Sequence, residues 1–332
     1  MSAPAIAETE RARAAAQQPA LDYIRSGQTP FFRLPLCDAE RRRGSRERAG
    51  AVVLGVPYDG GATVHAGARL APYHVRRVSA FLQPFHPYHQ VDVFEATRAV
   101  DGGNVAFPPF DPHAVREAIR AEVADVLAGG AVPILLGGDH SIALPALRAA
   151  AERHGPLAVV HVDAHPDTSD DAVWGDAYHH GTPLRHALEE RLVEDGQLYQ
   201  VGVRAPSADA LEASFSRRRG ARVYTAFETA ERGVDSIAAD VRRRIGDRKT
   251  YLTFDVDAID PAFAPGTGTP VPGGLTSREA IQLVRGLAGV SLVGMDVVEV
   301  CPALDHADLT CHLAAHLLYE GLGLVALRAD AG

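Results

Sequence analysis

Two carboxylates and an imidazole fall within the five residues Asp163-Ala-His165-Pro-Asp167, directly after the apolar, β-branched run 157–162. Oxygen and nitrogen donors without thiolate suit a borderline or hard divalent ion, Mn²⁺ first, with Ni²⁺, Co²⁺ or Zn²⁺ as alternatives; the histidine disfavours Ca²⁺. Two further apolar runs end in donors of the same kind, Ile134-Leu-Leu-Gly-Gly-Asp-His140 and Tyr251-Leu-Thr-Phe-Asp-Val-Asp257. The candidate metal ligands are therefore His140, Asp163, His165, Asp167, Asp255 and Asp257. Four carboxylates balance two divalent cations, whereas around a single ion they would leave a desolvated excess of negative charge. The set reads as binuclear. Taken singly, each aspartate has the plainer alternative of capping a helix or closing a turn. Asp255 and Asp257, at i and i+2, are expected on one face of an extended strand. Gly137 and Gly138 let the chain turn sharply, Ser141 is placed to cap the next helix, and Asp139 either orients a ligand or closes the turn.

Elements with βαβ periodicity must deliver these residues. Apolar runs near 51–56, 132–136, 157–162, 197–203, 221–224, 250–254 and 290–296 read as strands. Helical patterns near 112–128, 142–153, 207–217, 233–245, 277–286 and 308–320 separate most of them. That alternation predicts an α/β protein with a parallel sheet, whose ligands gather at the carboxyl ends of the strands. The glycine-rich stretch 55–69 has neither the GxGxxG nor the Walker spacing and reads as a pocket wall. Residues 1–30 read as a flexible extension, the charged run 38–48 as solvated, and 31–332 as a single domain.

Among the 332 residues, 46% are apolar and the formal charge is −9, with no basic run interleaved with aromatics. Nucleic acid is thus excluded as the natural partner, and a small cation fits. Cys37, Cys301 and Cys311 lack CxxC spacing, which predicts a reducing, cytoplasmic setting. No signal-type segment or membrane span is expected, because charges interrupt the N-terminus and no run approaches about 18 uninterrupted apolar residues. His312 and His316 stand at i and i+4 but without HExxH, so they read as helix-face histidines.

Gly-Gly-Asp-His-Ser at 137–141, Asp-Ala-His-Pro-Asp at 163–167 and Thr-Phe-Asp-Val-Asp-Ala-Ile-Asp-Pro at 253–261 resemble the signatures of the ureohydrolase family, the arginase and agmatinase group. The resemblance implies the arginase/deacetylase fold, a central parallel sheet of about eight strands flanked by helices on both faces. It also implies two Mn²⁺ ions bridged by hydroxide, one served by His140, Asp163, Asp167 and Asp255, the other by Asp163, His165, Asp255 and Asp257. The segment Tyr178-His-His-Gly-Thr-Pro183 matches the family's His-Gly-Thr-Pro, which puts His180 in the proton-shuttle position. Glu299 matches the glutamate that binds the substrate guanidinium; a carboxylate suits that planar fork.

The implied activity is hydrolysis of a linear guanidino compound to urea and an amine, by an agmatinase-type homo-oligomer, hexamer or trimer. Guanidinobutyrase, guanidinopropionase and guanidine hydrolase activities are the alternatives, and a non-catalytic partner subunit is the alternative of another class. A single-zinc deacetylase of the same fold would not need six ligands. Pro166, His65 and Asn104 depart from the family pattern near the expected pocket rim. The loop 168–179 lacks the asparagine and much of the hydroxyl set with which arginases hold an α-amino acid. Its Asp170, Asp171 and Asp176 predict a negative mouth and agmatine as the substrate.

Overall fold

The carboxyl ends of four adjacent central strands converge on one crevice, and the rest of the architecture follows from how the chain reaches them. The computed structural model describes residues 29–37, 49–170 and 174–328, so the expectations for residues 1–28, for the run 38–48 and for Asp171 lie outside it. The strands are β1 (Ala51–Gly55), β2 (Phe85–His86), β3 (Val91–Asp92), β4 (Val100–Asn104), β5 (Val132–Leu136), β6 (Leu157–Val162), β7 (Val193–Val203), β8 (Arg222–Thr225), β9 (Lys249–Asp255) and β10 (Ser291–Val298). Eight of them form one parallel sheet in the order β4-β1-β5-β10-β9-β6-β7-β8, while β2 and β3 make a small antiparallel pair. From β5 the chain passes over two sheet positions to β6, runs outward to β8, and returns to fill the gap with β9 and β10. Such a reversal of winding opens a crevice at the strand ends.

Both faces of the sheet are covered. Along β1, β5 and β6 the residues Val53, Ile134, Leu136, Val160 and Val162 join one core cluster, and their neighbours Val52, Leu54, Leu135 and Val159 join another. This is the period-two alternation of a sheet buried on two sides. The first cluster packs under the helices Ala71–Ser79, Val234–Ile245, Ser277–Arg285 and Leu309–Ala326. The second packs under Pro112–Ala128, Ala143–His154 and Pro183–Glu189.

Seven sheet strands match the apolar runs; β4 does not. Its sequence Val-Asp-Gly-Gly-Asn has poor strand propensity, and tertiary contacts hold it at the sheet edge. Buried Asp101 accepts from Phe31 N at 2.7 Å and from Arg76 Nε and Nη2 at 3.0 and 3.1 Å. The Arg76 guanidinium in turn lies 4.1 Å over the Phe31 ring. Helix Leu309–Ala326 is long and apolar enough to cross a membrane, but 78% of it is buried in the protein's own core. Its Glu320 joins His86 and His89, a trio with metal-ligand composition. Arg285 already pairs with Glu320, whose Oε2 also lies 3.1 Å from His86 Nε2, and His86 Nδ1 accepts from His89 N at 3.2 Å, so Glu320 and His86 are engaged within the protein.

Candidate active site

The structure brings all six predicted donors together, each at the end of a central strand: His140 after β5, Asp163, His165 and Asp167 after β6, Asp255 and Asp257 after β9. They divide into two groups. His140 Nδ1 faces Asp167 Oδ2 at 2.8 Å, Asp163 Oδ2 at 3.1 Å and Asp255 Oδ2 at 3.3 Å. His165 Nδ1 faces Asp257 Oδ2 at 2.9 Å and Asp163 Oδ1 at 3.4 Å. Asp163 therefore offers one oxygen to each group, the geometry of a bridging ligand. Asp255 and Asp257 do not share a strand face as expected. β9 stops at Asp255, and Val256–Ala258 forms a 3₁₀ turn closed by Asp257 N donating to Asp255 Oδ1 at 2.8 Å. The turn aims the two carboxylates at different groups. Asp167 and Glu299 carry positive φ, 49° and 63°, so the chain holds strained backbone at two functional positions.

The electrostatics call for cations. Burial, and then the charges of Asp257 and Asp163, push Asp255 well above the ordinary carboxylate range; Asp257 is raised by burial and by Asp163. Burial works against a charge on His165, but Asp257 and Asp163 outweigh it and push that group up to about 12. His140 Nδ1 is buried with no hydrogen-bond partner. Its other nitrogen is spoken for: Nε2 lies 2.7 Å from Thr253 Oγ1, whose proton goes to Asp296 Oδ1 at 2.6 Å. That chain assigns the proton to Nε2 and leaves the Nδ1 lone pair for a metal. The donor set thus fits a pair of divalent ions.

His161, Gln200, Tyr251 and Asp296, which support the ligands, belong to none of the three signatures. His161, fully buried, lies 2.7 Å from Asp163 Oδ2 through Nε2, and Gln200 Nε2 donates to its Nδ1 at 3.0 Å. Asp296 also accepts from Tyr251 Oη at 2.8 Å. Thr253 and His161 each stand two residues before a ligand, a strand-period signal that points them to the same face. The Ser141 expectation is corrected: Asp139 is the cap of the turn His140–Ile142, accepting from Ser141 N at 2.9 Å. Its other oxygen accepts from Gly61 N at 2.7 Å, tying the β5 end to the glycine-rich loop. Burial and the Glu299 charge raise Asp139 to about 6. The tie needs Gly138, where a Cβ would stand 1.7 Å from Tyr58 O.

Glu299 Oε1 accepts from His140 N and sits beside His180 Nδ1, both at 2.9 Å. His180 Nε2 lies 2.7 Å from Thr63 Oγ1, a contact the sequence did not mark. Burial lowers His180, but its bond to Glu299 and that group's charge prevail and push it up to about 9. Glu299 and His180 therefore stand together against the ligand cluster; His180 lines the cavity above it, and Glu299, 2% exposed, does not.

A cavity of about 330 Å³ opens over these residues, lined by His140, His165, Asp167, His180, Asp255 and Asp257 and walled by Thr63, Val64 and Trp174. The glycine-rich loop is a pocket wall as expected, pinned by Asp59 accepting from Gly67 N at 2.7 Å. The rim expectations change. Asp170 faces Arg185 at 3.9 Å and Asp176 accepts from Tyr178 N at 2.9 Å, and neither lines the cavity. The lining acid on the segment after β7 is Glu212, which the sequence reading passed over because it lies in a helix start with no motif. Asn104 is held by Arg76 on β4, and His65 is exposed outside the lining. His312 and His316 face solvent from their helix.

Carboxylates and imidazoles in two groups at the carboxyl ends of the central strands of a parallel sheet, with a glutamate and a histidine beside them, define a hydrolase of the metal-dependent α/β class. The family model described as the Arginase family matches residues 49–323, and the chain belongs to that family. Proclavaminate amidinohydrolase of Streptomyces clavuligerus is 43% identical over 81% of this chain and 87% of its own. Its solved structure superposes with a TM-score of 0.83, at 40% identity over 90% of this chain and 97% of that one. Guanidinopropionase of Pseudomonas aeruginosa is 42% identical over 83% and 87% of the two chains, and agmatinase of Escherichia coli 41% identical over 83% and 88%. The protein is a hydrolase acting on guanidino C–N bonds, and the arginase-type fold expected from the motifs is the one observed.

Proposed function

We propose that this protein hydrolyses a linear guanidino compound with a cationic tail, agmatine first, to urea and the corresponding amine. The observation that carries the choice of tail is the charge of the cavity wall: Glu212 lines it, and no Lys or Arg does among the described residues. A carboxylate tail would enter without a Lys or Arg to pair with and with Glu212 opposing its charge, whereas an ammonium tail would find a carboxylate. His140, Asp163, Asp167 and Asp255 would hold one divalent ion, and Asp163, His165 and Asp257, with Asp255 as the family resemblance implies, the other. Mn²⁺ is our first assignment and Ni²⁺ the alternative. When bound, the ions lower the pKa of water and so supply a nucleophile at neutral pH for the unreactive guanidinium carbon.

The chain's own residues do the rest. Glu299 pairs with the guanidinium, whose planar fork matches a carboxylate. His180, held between Glu299 and Thr63, passes a proton to the departing amine nitrogen. Trp174 and Val64 shield the spacer from water. Three cysteines with no disulfide among the described residues support a cytoplasmic location, and exposed Tyr73, Phe81, Phe85 and Tyr88 support a homo-oligomer, hexamer or trimer.

The relatives named guanidinopropionase and proclavaminate amidinohydrolase support a second reading, in which the tail is a carboxylate. Urea release from agmatine, L-arginine, 4-guanidinobutyrate, 3-guanidinopropionate and guanidine, with Mn²⁺ and with Ni²⁺, separates the two. Agmatine is expected to have the highest kcat/KM. A guanidino acid at the top would transfer the assignment to the second reading, and arginine at the top would reject both.

A further inference from the structure

The donors of the cavity come from the ends of β5, β6 and β9, but one wall comes from the segment after β7: Pro206, Ser207, Ala208 and Glu212. Glu212 is the acid on that wall, and its orientation is fixed from two directions. Ser169 Oγ, on the loop after β6, donates to Oε1, and Ala208 N donates to Oε2 at 2.6 Å. A carboxylate offers about four lone-pair sites, so roughly half of its capacity stays open. No Lys or Arg among the described residues pairs with it. The nearby Arg185 lies instead over the Phe215 ring at 4.6 Å and pairs with Glu189 at 3.1 Å. A pre-oriented, uncompensated carboxylate on the wall of a binding cavity is a receptor for a cation.

We propose that Glu212 is the specificity-determining residue for the substrate tail: it takes the terminal ammonium of an aminoalkyl guanidine and turns away a terminal carboxylate. The proposal rests on the cationic-tail reading given above. Ser169 and Ala208 are then the clamps that place the charge, and the Trp174 and Pro206 walls accommodate the methylene spacer. Glu212 also lies in the first turn of helix Ala210–Arg218, three residues after the N-cap Asp209, where an acid supports the helix. Its bond goes to Ala208 N, ahead of that cap. A helix-supporting role and a recognition role have different signatures. The first lowers turnover of every substrate alike; the second changes the ratio between substrates.

The test is steady-state kinetics of the metal-loaded enzyme and of Glu212→Gln, with agmatine, pentylguanidine and 4-guanidinobutyrate. Pentylguanidine replaces the ammonium by a methyl group at constant length. In Glu212→Gln the kcat/KM ratio of agmatine to pentylguanidine is expected to fall by about tenfold or more, chiefly through KM, the order expected for a hydrogen bond to a charged group. The ratio of 4-guanidinobutyrate to pentylguanidine is expected to rise. If the wild type prefers agmatine and Glu212→Gln leaves its ratio within twofold, the Glu212 assignment is wrong and the cationic-tail reading stands. A wild type that prefers pentylguanidine or 4-guanidinobutyrate overturns both. Should Glu212→Gln fail to fold, Glu212→Asp keeps the charge but withdraws it by one methylene. The same ratio must fall there too, and an unchanged ratio rejects the proposal.

Discussion

Asp163 illustrates how much of a metal site lies outside its ligands. Each of its oxygens faces a different histidine at 3.1 or 3.4 Å, so a small rotation of the carboxylate would spoil both groups at once. Two contacts prevent it: His165 N donates to Oδ1 at 2.6 Å, and His161 holds Oδ2. Because Gln200 donates to His161 Nδ1, the imidazole proton sits on Nε2 and points at the carboxylate. The expected result of His161→Ala is a metal affinity lower by about 10- to 100-fold, the usual effect of removing such a support, with activity recovered by added Mn²⁺. A Mn²⁺ titration of activity reads it directly. An unshifted midpoint would leave His161 with a packing role alone.

At the scale of elements, the charge network around Asp240 shows how a helix is locked to the sheet edge. Asp240 lies on the inner face of helix Val234–Ile245, 6% exposed, and accepts from Tyr224 Oη of β8 at 2.8 Å and from Arg244 Nε at 3.1 Å. Burial pushes its pKa up, but the Tyr224 and Arg244 bonds outweigh that and hold it below the ordinary carboxylate value. A depressed acid stabilises the fold above its unfolded pKa and loses that contribution as pH falls through its folded one. Asp240→Asn is therefore expected to lower stability by about 1–3 kcal/mol at pH 7, with the difference shrinking below about pH 4. Urea unfolding at the two pH values measures it; a difference constant with pH would show that the charge is idle. The same scale explains what the sequence revealed. Strands buried on both faces read as largely apolar runs, so β5, β6 and β9 and the donors at their ends were legible. The edge strand β4 was not, since Asp101, Phe31 and Arg76 meet only in the folded chain. Nor was the 3₁₀ turn at Asp257, because it depends on a side chain accepting from its own neighbour's backbone rather than on periodicity.

The whole molecule is built around a charge that it cannot neutralise alone. Asp163, Asp167, Asp255 and Asp257 are all less than a tenth exposed, gathered where β6 and β9 lie side by side at the middle of the sheet. The imidazoles of His140 and His165 face them, and β5 and β6, which carry those imidazoles, are separated by two other strands. Ligands drawn from three separate strands couple metal binding to the packing of the whole sheet, so binding free energy becomes folding free energy. A ligand present at a hundred times its Kd adds about 2.7 kcal/mol per site, and in a chain of this size each kcal/mol moves Tm by roughly 2 °C. Chelation is accordingly expected to lower Tm by at least about 5 °C, with recovery on adding Mn²⁺ and saturation at two ions per chain in elemental analysis. Recovery complete at one ion per chain would reduce the two groups to a single site. A Tm indifferent to chelation would mean that His140 and His165 balance the carboxylates without metal, and would detach the ions from the stability of the fold.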